Sequence, residues 1–132
     1  MNAPIDADLL KQMPLFASLS PAELESVAAV AQMIEVPAGE TVATEATPGR
    51  DVMVLFEGAA KVEHDGTTIA SAEPGAVIGE IAVVTRMRRT ATVTTTMPSR
   101  LLVIDADAFR SLMDTIPALS RGAWASTAAQ LK

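Results

Sequence analysis

Between residues 33 and 104 the chain is cut into short apolar segments by turn residues: Pro37-Ala38-Gly39, Thr47-Pro48-Gly49, Asp65-Gly66 and Pro74-Gly75. This punctuation constrains the fold more than any other feature. The intervals are too short for most helices but long enough for strands, and Gly, Pro and Asp-Gly adopt the backbone angles that tight turns need. Strands are therefore expected over 33–36, 41–45, 52–56, 59–63, 67–71, 91–96 and 100–104. Gly58 falls between two of them without a longer loop, so a bend or bulge is expected there, where a side chain would not fit. The rhythm is that of a small all-β barrel.

Helical signals flank this region. Ile5, Leu9, Leu10, Met13, Leu15 and Phe16 have the spacing of a short helix halted by Pro14. Ser20-Pro21-Ala22-Glu23 predicts a helix start: Ser20 is the N-cap, Pro21 the first helical residue and Glu23 completes a capping box, with the helix ending near Gln32. After the barrel, Asp105 caps a helix expected over 106–113, and Pro117 opens a last one that carries the single tryptophan, Trp124. The 132 residues, 49% of them apolar, are enough for one core, so a single domain is expected over 1–132. Its parts are a helical N-terminal part (1–32), a barrel (33–104) and C-terminal helices (105–132).

Composition excludes several function classes. A net charge of −6 with only ten Lys and Arg disfavours nucleic acid, which binds through accumulated positive charge. The chain has no cysteine, hence no disulfide framework or thiolate chemistry. The N-terminus lacks a signal-peptide pattern and no stretch reaches the ~20 apolar residues of a membrane span, so a cytoplasmic location without membrane insertion is expected. His64 is the single histidine, so no histidine-cluster metal site is expected, nor any catalytic residue. It is expected in an exposed hairpin beside Asp65-Gly66.

One stretch carries recognisable chemistry. Residues 78–91 read Ile-Gly-Glu-Ile-Ala-Val-Val-Thr-Arg-Met-Arg-Arg-Thr-Ala. Gly79 permits close backbone approach, and a short helix beginning at Glu80-Ile81-Ala82-Val83 would present free N–H groups to an anion. Arg89 offers a planar fork of donors and Thr90 a hydroxyl. A carboxylate such as Glu80 would repel a phosphate unless it served a donor on the same ligand, and a sugar hydroxyl is such a donor. A ribose phosphate satisfies both.

The stretch resembles the phosphate-binding cassette of cyclic nucleotide-binding domains, which runs Phe-Gly-Glu-Leu-Ala-Leu, three variable residues, Pro-Arg, one variable residue and Ala. Leu15-Phe16, Leu19-Ser20, Glu23-Leu24, Pro37-Ala38-Gly39-Glu40 and Glu57-Gly58 also match family positions in order. The resemblance implies a double-stranded β-helix, a jelly-roll-like β-roll, mainly β with N-terminal helices and two C-terminal helices. It implies cAMP or cGMP as ligand and no other cofactor, with Glu80 on the ribose 2′-hydroxyl and Arg89 on the cyclic phosphate. Gly79, Ile81 and Ala82 would line the phosphate with amides, beside Thr90 and Ala91. The implied role is a regulatory sensor whose C-terminal helices move on binding. The alternative is a degenerate member serving as an interaction or structural domain without nucleotide.

The chain departs from the pattern at Ile78 for an aromatic, Arg88 for proline, Ala46-Thr47 for Gly-Asp, and Met53 for tyrosine. Alanine tolerates positive φ poorly, so the Ala46 turn is expected to be altered. Arg86 and Arg88 read as solvated charge that raises the local potential. Trp124 has two readings, a lid stacked on the base or a helix-packing anchor, of which packing is favoured. Ser126 and Thr127 lie where they could meet the base edge. Thr90 does not separate cAMP from cGMP. No output module is recognisable, so the domain is read either as a stand-alone sensor or as a piece of a larger chain, with an effector domain or protein partner compatible with both. Dimerisation through the last helix is compatible with the pattern, and the end at Gln130-Leu131-Lys132 leans towards continuation of the chain.

Overall fold

The computed structural model describes residues 5–130, with side chains through 125. Two short N-terminal segments, α1 (Ala7–Leu10) and a 3-10 turn (Pro14–Phe16), stand where one helix is expected, because Pro14 has no N–H to continue α1. Helix α2 (Pro21–Val30) starts as expected: Ser20 Oγ accepts from the Glu23 N–H at 3.2 Å and Glu23 Oε1 accepts from the Ser20 N–H at 2.8 Å. It ends two residues earlier than its sequence suggests, since strand β1 (Ala31–Val36) takes Ala31 and Gln32 into pairing.

The strands that follow are β2 (Thr41–Ala43), β3 (Asp51–Glu57), β4 (Ala60–His64), β5 (Thr67–Ala72), β6 (Val77–Ile78), β7 (Thr92–Thr95) and β8 (Ser99–Asp105). Short helix α3 (Glu80–Thr85) interrupts them, and α4 (Ala106–Thr115) and α5 (Pro117–Gln130) follow. The two-residue strand β6 is below the length that alternation can reveal in sequence. The strands form two antiparallel four-stranded sheets in the orders β1-β8-β3-β6 and β2-β7-β4-β5. This is the β-roll with helices at both ends. Gly58 has φ 106°, the β3–β8 register slips between Leu55 and Glu57, and a Cβ on Gly58 would overlap Ser99. Asp65 and Gly66 both have positive φ, the left-handed pair of a two-residue hairpin.

Two cores follow from strand alternation. Along β3, Val52, Val54 and Phe56 join the helices' Phe16, Leu24, Phe109 and Leu119, while Met53 and Leu55 turn to the second sheet. Likewise Leu102 and Ile104 of β8 face the helices and Leu101 faces the other sheet. The central strands β3 and β8 of the first sheet are thus packed on both faces and read as nearly continuous apolar sequence. No described helix is long and apolar enough to cross a membrane.

Candidate functional site

The second core is not filled. Its inner face carries small or short residues, Ala43, Ala72 and Val93, and between it and α3 lies a cavity of about 180 Å³. Gly79, Ile81, Ala82, Arg89, Thr90 and Ala91 line its other side. Val62, Ser71, Ala76, Val77 and Ile78 complete the wall. Val62 and Ser71 escape sequence reading because each looks like an ordinary strand residue, and Ala76 and Val77 because they fall in no expected strand; the available signal was the alanines at inward positions of separate strands, which leave space where larger side chains would pack.

Arg89 is set by contacts at both its backbone and its side chain. The turn between β2 and β3 grips its main chain: the Ala46 N–H donates to Arg89 O and the Arg89 N–H to Thr47 O, each at 2.8 Å. The side chain is buried, 9% exposed for the residue, and Nη2 donates to Asp51 Oδ1 at 2.7 Å and to the Asp51 carbonyl at 3.3 Å. Asp51 opens β3, so the first sheet anchors the arginine. Nη1 is buried without a hydrogen-bond partner among the described residues. Such a donor on a buried cation is costly, and an anion in the cavity would satisfy it. Gly79 makes this geometry feasible, because its φ is 86° and a Cβ there would overlap Arg89 Nη1. No side chain caps the α3 N-terminus at Gly79.

The structure brings Gly79, Ile81, Ala82, Arg89, Thr90 and Ala91 to one cavity. Glu80 is buried at 1% exposure but is not one of the lining residues, although Gly79 and Ile81 on either side of it are. Trp124 corrects the packing expectation: it is 51% exposed, while Leu119 and Ala123, both fully buried, pack α5. Trp124 is not among the cavity's lining residues either. Ser126 and Thr127 fall outside the described side chains.

The Ala46 turn keeps its left-handed geometry in spite of alanine, with φ 64°. Arg88 is exposed yet not simply solvated, since its Nη1 donates to Ala46 O at 2.9 Å. His64 lies in the exposed hairpin and its Nδ1 sits 3.1 Å from Thr90 O, in donor position. Glu45, His64 and Asp65 each bring a potential ligand atom within 4.8 Å of the others, a grouping that one histidine in the sequence does not announce.

The sequence profile of the cyclic nucleotide-binding domain matches residues 33–116. Human potassium/sodium hyperpolarization-activated cyclic nucleotide-gated channel 3 is 29% identical over 113 residues, covering 86% of this chain and 15% of the channel. A provisionally named potassium channel protein of Rhodopseudomonas palustris is 28% identical over 120 residues, covering 89% of this chain and 29% of that protein. The chain thus spans less than a third of either relative's length. Among solved structures, a provisionally named cyclic nucleotide-binding protein of Geobacter metallireducens superimposes with a TM-score of 0.83 at 25% identity, covering 95% and 94% of the two chains. The regulatory domain of Toxoplasma gondii PKA, solved with cAMP, gives a TM-score of 0.82 at 17% identity, covering 94% of this chain and 48% of that one, a likeness of fold. With the profile spanning the β-roll and α4, and the cavity set against residues 78–91, this chain belongs to the cyclic nucleotide-binding domain family.

Proposed function

We propose that this domain binds cAMP or cGMP and relays occupancy through its C-terminal helices, without turning the ligand over. The observation that carries the reading is Arg89: a buried guanidinium, half-paired with Asp51, whose Nη1 lacks a partner on the wall of a mostly apolar cavity. The cyclic phosphate takes Nη1 and the amides around Gly79, Ile81 and Ala82, with Thr90 and Ala91 at the edge. The apolar wall of Val62, Ala72 and Val93 takes the base, where shape and dispersion decide more than charge.

Glu80 serves the ribose 2′-hydroxyl in this reading. Because it does not line the cavity, and because about 180 Å³ is below the roughly 300–1,000 Å³ usual for small-molecule sites, binding requires α3 to shift. That shift has a route outward. Helix α3 packs against α4 and α5, and Arg110 Nε of α4 donates to Val83 O at 3.2 Å near the end of α3. The ligand biases the helices only as far as it binds one arrangement better than the other, typically ~1–3 kcal/mol. An effector domain or protein partner would read that bias; Trp124, exposed on α5, and Thr127 are candidates to cover the base once α5 moves.

The test is a calorimetric titration with cAMP and with cGMP, on wild type and on Arg89→Ala. Loss of the arginine should weaken binding by about 2–5 kcal/mol, as for other desolvated charge pairs. Unchanged affinity in the variant would refute the role of Arg89. The small cavity also favours a second reading, a member of the family that serves as an interaction domain without nucleotide; silence with both ligands up to millimolar concentration would establish it. Recovery of intact nucleotide after long incubation distinguishes binding from hydrolysis.

A further inference from the structure

On another side of α3 lies a second concavity of about 310 Å³ whose lining is basic. Arg86 and Arg88 come from the segment after α3, Arg110 from α4, and Met87, Pro48 and Ala82 supply apolar surface; no carboxylate lines it. In a chain of net charge −6 with ten Lys and Arg in all, three cations in one cleft form a local reversal of sign. Two of them are also partly immobilised. Arg88 Nη1 is held by Ala46 O, and Arg110 Nε by Val83 O; both acceptors are neutral carbonyls, which orient a guanidinium without cancelling its charge. The one carboxylate engaged is Asp107, 3.1 Å from Arg110 Nη1, with a side chain 94% exposed. Arg86 has φ 58° and makes no side-chain hydrogen bond among the described residues.

We propose that this cleft is a docking site for an acidic, partly apolar segment of a partner protein. Carboxylates match the guanidinium fork in two-point contact, and an arginine already held by a carbonyl loses less freedom on binding. Met87, 63% exposed beside the arginines, adds an adaptable apolar contact that a purely ionic ligand would not use. Arginine and methionine are both enriched in protein interfaces, whereas the overall negative charge opposes nucleic acid. Ala82 lines both this cleft and the cavity, and Arg88 immediately precedes Arg89, so occupancy of one concavity biases the other through α3. The docking does not depend on nucleotide binding; only the coupling does.

The experiment follows amide chemical shifts of the isotope-labelled full chain during titration with a short peptide of glutamate and leucine. Parallel titrations use the same peptide with lysine in place of glutamate, and inorganic phosphate. Saturable shifts are expected at Gly49, Ala82 to Arg88 and Arg110 with the acidic peptide only, weakening as salt rises. Arg86→Glu, at an exposed position, should weaken the acidic peptide on the order of tenfold. Met87→Ser should weaken it less, and both variants should keep the dispersed spectrum of a folded chain. Shifts absent from the cleft, equal for the lysine peptide, or unaffected by Arg86→Glu would overturn the proposal. The same shifts at equal affinity with phosphate alone would also overturn it, in favour of a small-anion site. If the acidic peptide binds while cAMP and cGMP do not, the docking site stands and the nucleotide reading fails.

Discussion

The two sheets are both four-stranded and antiparallel but are used differently. Strands β3 and β8 of the first sheet are apolar on both faces, and Val52, Val54, Leu55, Leu101, Leu102 and Ile104 are fully buried there. In the second sheet, β5 is exposed from Thr67 to Ser71 and the inner face is set with alanines and valines. A strand packed on both faces, such as β3, can anchor Asp51 at its start. A sheet packed on one face with small residues leaves space. Arg89 spans this division, its side chain tied to the first sheet and its open donor on the cavity of the second. The lesson is that the candidate binding cavity lies in the under-packed half of the molecule and the closely packed core in the other half.

Truncation tests this contrast most directly. Leu102→Ala should destabilise the fold by about 2–5 kcal/mol, whereas Val62→Ala, on the half-buried wall of the cavity, should cost under about 1 kcal/mol while altering nucleotide affinity. Urea denaturation and calorimetry on the same preparations measure both; equal stability losses would remove the distinction between the sheets. Gly79→Ala is next in size. Left-handed φ costs a residue with Cβ about 1–2 kcal/mol, and the new methyl would displace the Arg89 guanidinium, so affinity should fall at least about tenfold. Normal binding by the Gly79→Ala variant would mean that Arg89 can reach phosphate from another position.

The smallest effect has the opposite sign. Ala46 holds φ 64° in the turn that grips Arg89, and glycine there should raise stability by about 0.5–1 kcal/mol, the relief of left-handed strain less the added chain entropy. A lower urea midpoint for Ala46→Gly would show that alanine makes a contact worth more than the strain. Unchanged stability with altered affinity would show that the strain acts on Arg89 itself.

Much is legible in the sequence, for local reasons. Ser20 to Glu23 specify a helix start because a capping box is complete within four residues, and Asp65-Gly66 specify a hairpin because their backbone preferences match its turn. Residues 78–91 carry a pattern dense enough to identify the family and to name Arg89. Boundaries were less legible: Ala31 and Gln32 have helical neighbours on one side and strand neighbours on the other, and pairing with β8 decided for the strand.

The alternation of strands and turns, the helix starts, the excess of negative charge and the chemistry gathered in one stretch are therefore properties of the amino-acid order alone. Folding in three dimensions is what makes Asp51, 38 residues away, the partner of Arg89, leaves a cavity between alanines of separate strands, and turns Trp124 outward. It also decided that Arg86, Arg88 and Arg110 meet in one cleft. The physical reason is range. Turn, cap and period preferences act over a few residues, whereas a partner, a void or a patch depends on register and packing summed over the whole chain.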